Sequence, residues 1–195
     1  MTLFASTRGG AVGVSAAEAI LQGLALDGGL FVPPQLPRLT AEEMDALQTM
    51  TYQQRACMLL AKLLPDYTTE ELSVWLAKAY ASFDDAKVAP VVEVAPGMSM
   101  LELWHGPTAA FKDMALQVLP YLLTAAVKKT GETKDIVILA ATSGDTGKAA
   151  LAGFKDVAGT RIMVFFPEDG VSPMQRWQMV TQSGDNVSVI AVDGN

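Results

Sequence analysis

The chain has 195 residues, half of them hydrophobic and 18% charged, which is enough apolar material for a packed core and too much for a disordered tail. Its 21 acidic and 14 basic residues leave a net charge of −7, which argues against a nucleic-acid or anionic-membrane partner. Any anionic ligand must therefore be held by local groups working against the overall field. Cys57 is the single cysteine, so no internal disulfide can form and a reducing, cytoplasmic setting is expected.

The length suits one or two domains. From Met1 to Val14 there is no apolar signal core. Thr2 to Val14 reads instead as a short strand with a turn at Gly9-Gly10. Ser15 with Glu18 forms a capping-box pattern that opens a short helix ending near Gly23. Asp27-Gly28-Gly29 is a turn, and Leu30-Phe31-Val32 is loop or edge structure stopped by Pro33-Pro34. Thr40 with Glu43 caps a second helix, Thr51 to Leu64 is a third ended by Pro65, and Thr68 with Glu71 caps a fourth. In the fourth, Leu72, Trp75, Leu76, Ala79 and Tyr80 share one face at helical spacing, a core stripe. Cys57, among Met58, Leu59 and Leu60, reads as core packing.

Pro90 to Val94 and Met100 to Trp104 flank Ala95-Pro96-Gly97, a hairpin signal. The apolar run Met114 to Val127 holds Gln117, Pro120 and Thr124, too short and too polar for a membrane span, and reads as a buried helix that Pro120 kinks or breaks. Then follow a strand over 136–140, a loop over 142–147, a helix over 148–156, a strand over 161–166, a helix over 172–182 and a strand over 187–192. Strands alternating with helices at short loop distances predict a βαβαβ unit whose parallel sheet is buried on both faces. The expected division is a mainly helical domain over 1–85 and an α/β domain over 86–195.

Two stretches carry chemistry. In His105-Gly106-Pro107-Thr108-Ala109-Ala110-Phe111-Lys112-Asp113, a turn delivers one lysine to the start of the apolar run. Apolar surroundings and the positive end of a following helix both disfavour the ammonium, leaving an amine able to attack a carbonyl. The alternative is a first-turn lysine reaching to solvent. His105, the only histidine, either lines such a site or is a hydrogen-bonded turn residue; with one His and one Cys a metal site is not expected.

Thr142-Ser143-Gly144-Asp145-Thr146-Gly147 lies at the carboxyl end of a strand, where open α/β sheets bind ligands. Its spacing is too short for a P-loop, and no dinucleotide fingerprint is present. It is an anion nest or merely a strand-to-helix turn.

These stretches resemble those of the threonine synthases, and so do others. His105 to Ala115 resembles that family's lysine motif, Ser6-Thr7-Arg8-Gly9 its N-terminal signature, and Asp27 to Pro33 a further segment. Thr142 to Gly147 and Val171-Ser172 with Gln175, Gln178 and Met179 resemble two more. They occur in the family's order and cover essentially the whole chain. The resemblance implies a tryptophan-synthase-β-like, fold type II domain that uses pyridoxal 5'-phosphate (PLP), and a lyase reaction in threonine biosynthesis that converts O-phospho-L-homoserine and water to L-threonine and phosphate. It implies Lys112 as the cofactor-bearing lysine, with Asp145 and His105 at the cofactor. It implies Ser143, Gly144, Thr146 and Gly147 around the substrate carboxylate, and Arg8 as a substrate or structural contact. An ionised Asp145 cannot donate a hydrogen bond, so it is either protonated or directed elsewhere. Gly170 stands where the family more often has a basic residue, which weakens a substrate-phosphate site there.

Family members run to about twice this length. The chain is therefore expected to be an N-terminal portion, inactive alone, with the cofactor's phosphate cup beyond Asn195 and apolar surface open to self-association. Two alternatives stand: another PLP-dependent phospho-lyase or β-replacement enzyme, and a non-catalytic anion- or nucleotide-binding α/β module.

Overall fold

The computed structural model describes residues 3–142 and 144–194. It divides into two compact units, one comprising Met1–Ala79 with Tyr121–Glu132 and the other Tyr80–Pro120 with Thr133–Asn195.

The first unit opens with β1 (Ala5–Ser6), α1 (Ala16–Gln22) and β2 (Phe31–Val32), continuing into α2 (Ala41–Thr49), α3 (Tyr52–Leu63) and α4 (Thr69–Ala79). Capping boxes start the helices. Ser15, Thr40 and Thr51 each accept from the third helical N–H and receive Glu18, Glu43 or Gln54 in return. Thr68 and Glu71 make the same exchange. Each such cap stabilises its helix by about 1 kcal/mol. The apolar stripe of α4 packs as its spacing requires, with Leu72, Leu76 and Ala79 buried. Cys57 is buried too, its thiol pushed up by desolvation.

β1 pairs antiparallel with β2, which brings the Ser6-Thr7-Arg8-Gly9 and Asp27 to Pro33 segments together. Asp27 joins them. Its carboxylate accepts from Ser6 Oγ at 2.7 Å, Gly10 N at 2.7 Å and Gly29 N at 2.9 Å. The Ser6 hydroxyl, chief among these donors, holds the Asp27 carboxyl below its ordinary range.

The second unit begins with a hairpin, β3 (Val91–Ala95) and β4 (Met98–Leu101), paired antiparallel with Val91 opposite Leu101. β4 starts two residues before the predicted strand, because the turn at Pro96-Gly97, with Gly97 at φ 73°, closes at once. The predicted long helix is two: α5 (Asp113–Leu116), a single turn, and α6 (Leu119–Thr130), restarted around Pro120, which lies in the first turn of α6 where its missing N–H costs nothing. From Tyr121 onward α6 belongs to the first unit, where Leu122 O accepts from the Tyr67 hydroxyl and Lys129 pairs with Glu71.

β5 (Ile136–Ala141), α7 (Asp145–Phe154), β6 (Thr160–Pro167), α8 (Pro173–Val180) and β7 (Val187–Val192) form the expected βαβαβ unit, with all strands parallel in the order β5-β6-β7. α7 packs against both β6 and α8. The sheet is not buried on both faces. On one face Ile162, Val164 and Phe166 are buried, while on the other Val137 and Leu139 are more than half exposed. The reason is topological. Successive right-handed crossovers place both helices over the same face, and on the other face Met163 and Phe165 of the central strand are only half-buried.

Candidate active site

Lys112 is the residue immediately before α5, and the segment ahead of it is folded around Asp113. That carboxylate has no solvent exposure and accepts from Thr108 N at 2.8 Å, Thr108 Oγ1 at 2.9 Å and Gln117 Nε2 at 3.3 Å. Gly106 lies against it, and a Cβ there would stand 2.6 Å from Asp113 Oδ2. Ala109 takes the left-handed conformation at φ 54°, a local cost that the surrounding bonds hold in place. The acid beside the lysine is thus the structural centre of the motif. The sequence pointed to it only through its place in the string.

Three lysines of the chain are not exposed: Lys62, Lys112 and Lys148. Lys62 faces Glu43 at 2.7 Å and Lys148 faces Asp145 at 3.5 Å. Lys112 faces no carboxylate among the described residues; its Nζ lies 4.7 Å from the centre of the Phe111 ring. The helix that follows is one turn long, so the dipole contribution expected at this lysine is small.

His105 is held at both ring nitrogens, Nδ1 by Asp84 at 2.6 Å and Nε2 by Glu102 at 2.8 Å. Asp84 N also donates to His105 O. The two carboxylates, Glu102 foremost, raise the imidazole's affinity for its proton. Neither ring nitrogen is left for a ligand. Of the two roles read from the sequence, this geometry is that of the hydrogen-bonded turn residue.

The loop after β5 is at the carboxyl edge of the sheet, and α5 packs against the helix that follows it. Helix α7 begins at Asp145, three residues earlier than predicted, so Asp145, Thr146 and Gly147 form its first turn. Gly147 permits this. A Cβ there would come within 2.9 Å of Val164 Cγ1, so only glycine lets the helix start so close to β6. Thr142 Oγ1 accepts from Gly144 N at 3.1 Å and Gly147 N at 3.2 Å. The N-cap, Gly144, supplies no side-chain cap to the first turn. Ser143 lies outside the described residues.

Asp145 points at donors. Its Oδ1 accepts from Gln175 Nε2 at 3.0 Å and stands 3.5 Å from Lys148 Nζ. Lys148 is buried and also donates to Gln178 Oε1 at 2.9 Å. The glutamines of the 171–179 motif thus brace the glycine loop from α8, a role that nothing in their spacing announces. Of the remaining cations, Arg161 pairs with Asp135 and Arg176 with Glu168. In the first unit, Arg8 Nη1 donates to Asp27 O at 3.0 Å, and the residue is otherwise exposed.

A parallel βαβαβ sheet with a glycine-rich loop at the carboxyl end of its first strand, and a lysine with no counter-ion among the described residues of the same unit, is the arrangement of an α/β domain, the class in which small ligands are held at the carboxyl ends of the strands. Residues 3–80 match the family model described as the threonine synthase N terminus. The threonine synthase of Pseudomonas aeruginosa is 40% identical over 193 residues, which is 98% of this chain and 41% of that protein. That of Schizosaccharomyces pombe is 36% identical over 98% of this chain and 39% of that protein. A crystal structure of PLP-bound threonine synthase from Brucella melitensis superposes with a TM-score of 0.92 at 36% identity, over 100% of this chain and 42% of that one. Over nearly its whole length the chain is similar to these threonine synthases, and it spans about two-fifths of theirs.

Proposed function

We propose that this chain is the lysine-bearing part of a threonine synthase, which converts O-phospho-L-homoserine and water to L-threonine and phosphate with PLP. The carrying observation is Lys112, a half-buried residue whose amine has no carboxylate beside it among the described residues, at the end of a loop closed by a fully buried acid. These features fit the aldehyde end of PLP. The amine has no ion pair to break before it condenses, and Phe111 supplies an aromatic wall next to it. PLP, when bound, supplies an electron sink for charge developing on the substrate carbons.

The residues of the chain divide the remaining work. Lys112 Nζ would hold the cofactor by its aldehyde end, and its amine would carry protons between substrate carbons. Thr146 offers the carboxylate subsite at the start of α7, where the helix favours an anion, with Gly144 and Gly147 shaping the turn around it and Ser143, outside the described residues, assigned to it by the resemblance alone. Asp145, fixed by Gln175 and Lys148, borders that subsite. Arg8 offers a guanidinium to an anionic group. His105, with both nitrogens occupied, shapes the lysine loop without binding the cofactor. The proposal includes that the 195 residues by themselves do not turn over, since they span about two-fifths of the relatives' length.

Borohydride reduction in the presence of PLP, followed by peptide mass mapping, tests the assignment. The phosphopyridoxyl mass is expected on Lys112 and lost in Lys112→Ala. Label distributed over exposed lysines, or label unchanged in that variant, overturns it. Release of phosphate from O-phospho-L-homoserine by the 195 residues alone overturns the claim of inactivity.

A further inference from the structure

We propose that Gln175 is a positioning residue that turns the Asp145 carboxylate away from the Asp145 and Thr146 N–H groups at the start of α7, leaving these two to the substrate's carboxylate. The inference rests on the reading of the 142–147 loop given above. Asp145 occupies the first position of α7. An acidic side chain there is itself attracted to the helix N-terminus and competes with any anion arriving from outside. In this structure it does not fold back. Oδ1 is drawn toward α8 by the Gln175 amide at 3.0 Å, with the Lys148 ammonium at 3.5 Å.

Gln175 is built for this task at both ends. Its Oε1 accepts from Ser172 N at 3.2 Å and Ser172 Oγ at 3.1 Å, closing the capping box of α8. With the oxygen fixed there, Nε2 must face Asp145, so the amide cannot flip without losing the cap. The side chain also fills the space a Cβ on Gly144 would take, which would fall 2.6 Å from Gln175 Cδ. Lys148 alone would not suffice, since its Nζ is shared with Gln178 Oε1.

The two ends can be separated by substitution. Gln175→Glu keeps the capping box, for which glutamate serves as well. It removes the N–H donor and sets a second carboxylate against Asp145. In the unloaded protein, hydrogen exchange is expected to slow in amides 145 and 146, onto which the released Asp145 carboxylate folds, and to stay unchanged in amides 172–180. In the PLP-loaded polypeptide, O-phospho-L-homoserine binding, read from the cofactor's visible absorbance, should weaken about tenfold, the worth of one charge-assisted hydrogen bond. Adding Asp145→Asn to Gln175→Glu restores the bond with its polarity reversed, the new amide at position 145 donating to the new carboxylate at position 175, and binding should recover.

A role confined to capping predicts that Gln175→Glu behaves like the parent and that the second substitution rescues nothing; either result overturns the proposal. If the parent binds O-phospho-L-homoserine yet Gly144→Ala and Gly147→Ala leave that binding untouched, the reading of the loop falls and this inference with it.

Discussion

Replacing Asp113 tests how the lysine loop is held. In Asp113→Ala, Thr108 N and Thr108 Oγ1 lose the carboxylate that accepts from both, in a place water does not reach, since Thr108 is 8% exposed and Asp113 not at all. Gln117, half-buried, can turn to water. Two buried donors left unmade at about 1–3 kcal/mol each give a loss of roughly 2–6 kcal/mol. That is a large share of the roughly 5–15 kcal/mol that holds a typical domain. Asp113→Asn preserves shape and one acceptor, and the Thr108 hydroxyl can rotate to receive the new N–H, so about 1–2 kcal/mol is expected. Urea unfolding followed by circular dichroism should show a lower midpoint with an unchanged slope. Hydrogen exchange should place the loss in amides 106–117, and borohydride-trapped label on Lys112 should fall with it. An alanine variant within about 0.5 kcal/mol of the parent, with the loop still protected, would refute the reasoning.

Other consequences follow from the same geometry. His105 binds its proton more tightly when folded, so its contribution is complete below the ordinary value of 6.5 and is lost as pH rises through the raised folded value. An imidazole titration by NMR should give a midpoint above 6.5, and His105→Gln should abolish the corresponding slope of stability against pH. Asp27 works in the opposite sense: its contribution is complete above 3.8 and is lost as pH falls through the lowered folded value, and Ser6→Ala should move its titration back toward 3.8. Gly153→Ala would drive a Cβ into the Leu116 carbonyl oxygen, a backbone atom that cannot yield. A melting point that falls, by about 1–3 kcal/mol of stability, is expected despite alanine's better helix propensity; a rise would contradict the packing. Val137→Lys with Leu139→Lys on the open sheet face should reduce self-association in sedimentation without lowering stability, because both positions are more than half exposed.

The sequence alone determined the local elements and their order. Capping boxes at Ser15, Thr40 and Thr68 mark helix starts because their partners lie three residues away, so the signal and the structure occupy the same few residues. The parallel βαβαβ order was equally legible from apolar runs separated by short connections. Lys112 stood out in its string for the same local reason. Only the tertiary structure decided what these residues face. Asp145 accepts from Gln175, thirty positions along the chain, and His105 is gripped by Asp84, twenty-one positions back. It also decided that one sheet face is open, since burial on both faces is a property of what packs around the strands, not of their apolar pattern. Hydrogen bonds and burial between distant segments depend on how the chain returns on itself, and periodicity within a window of residues carries no record of that return.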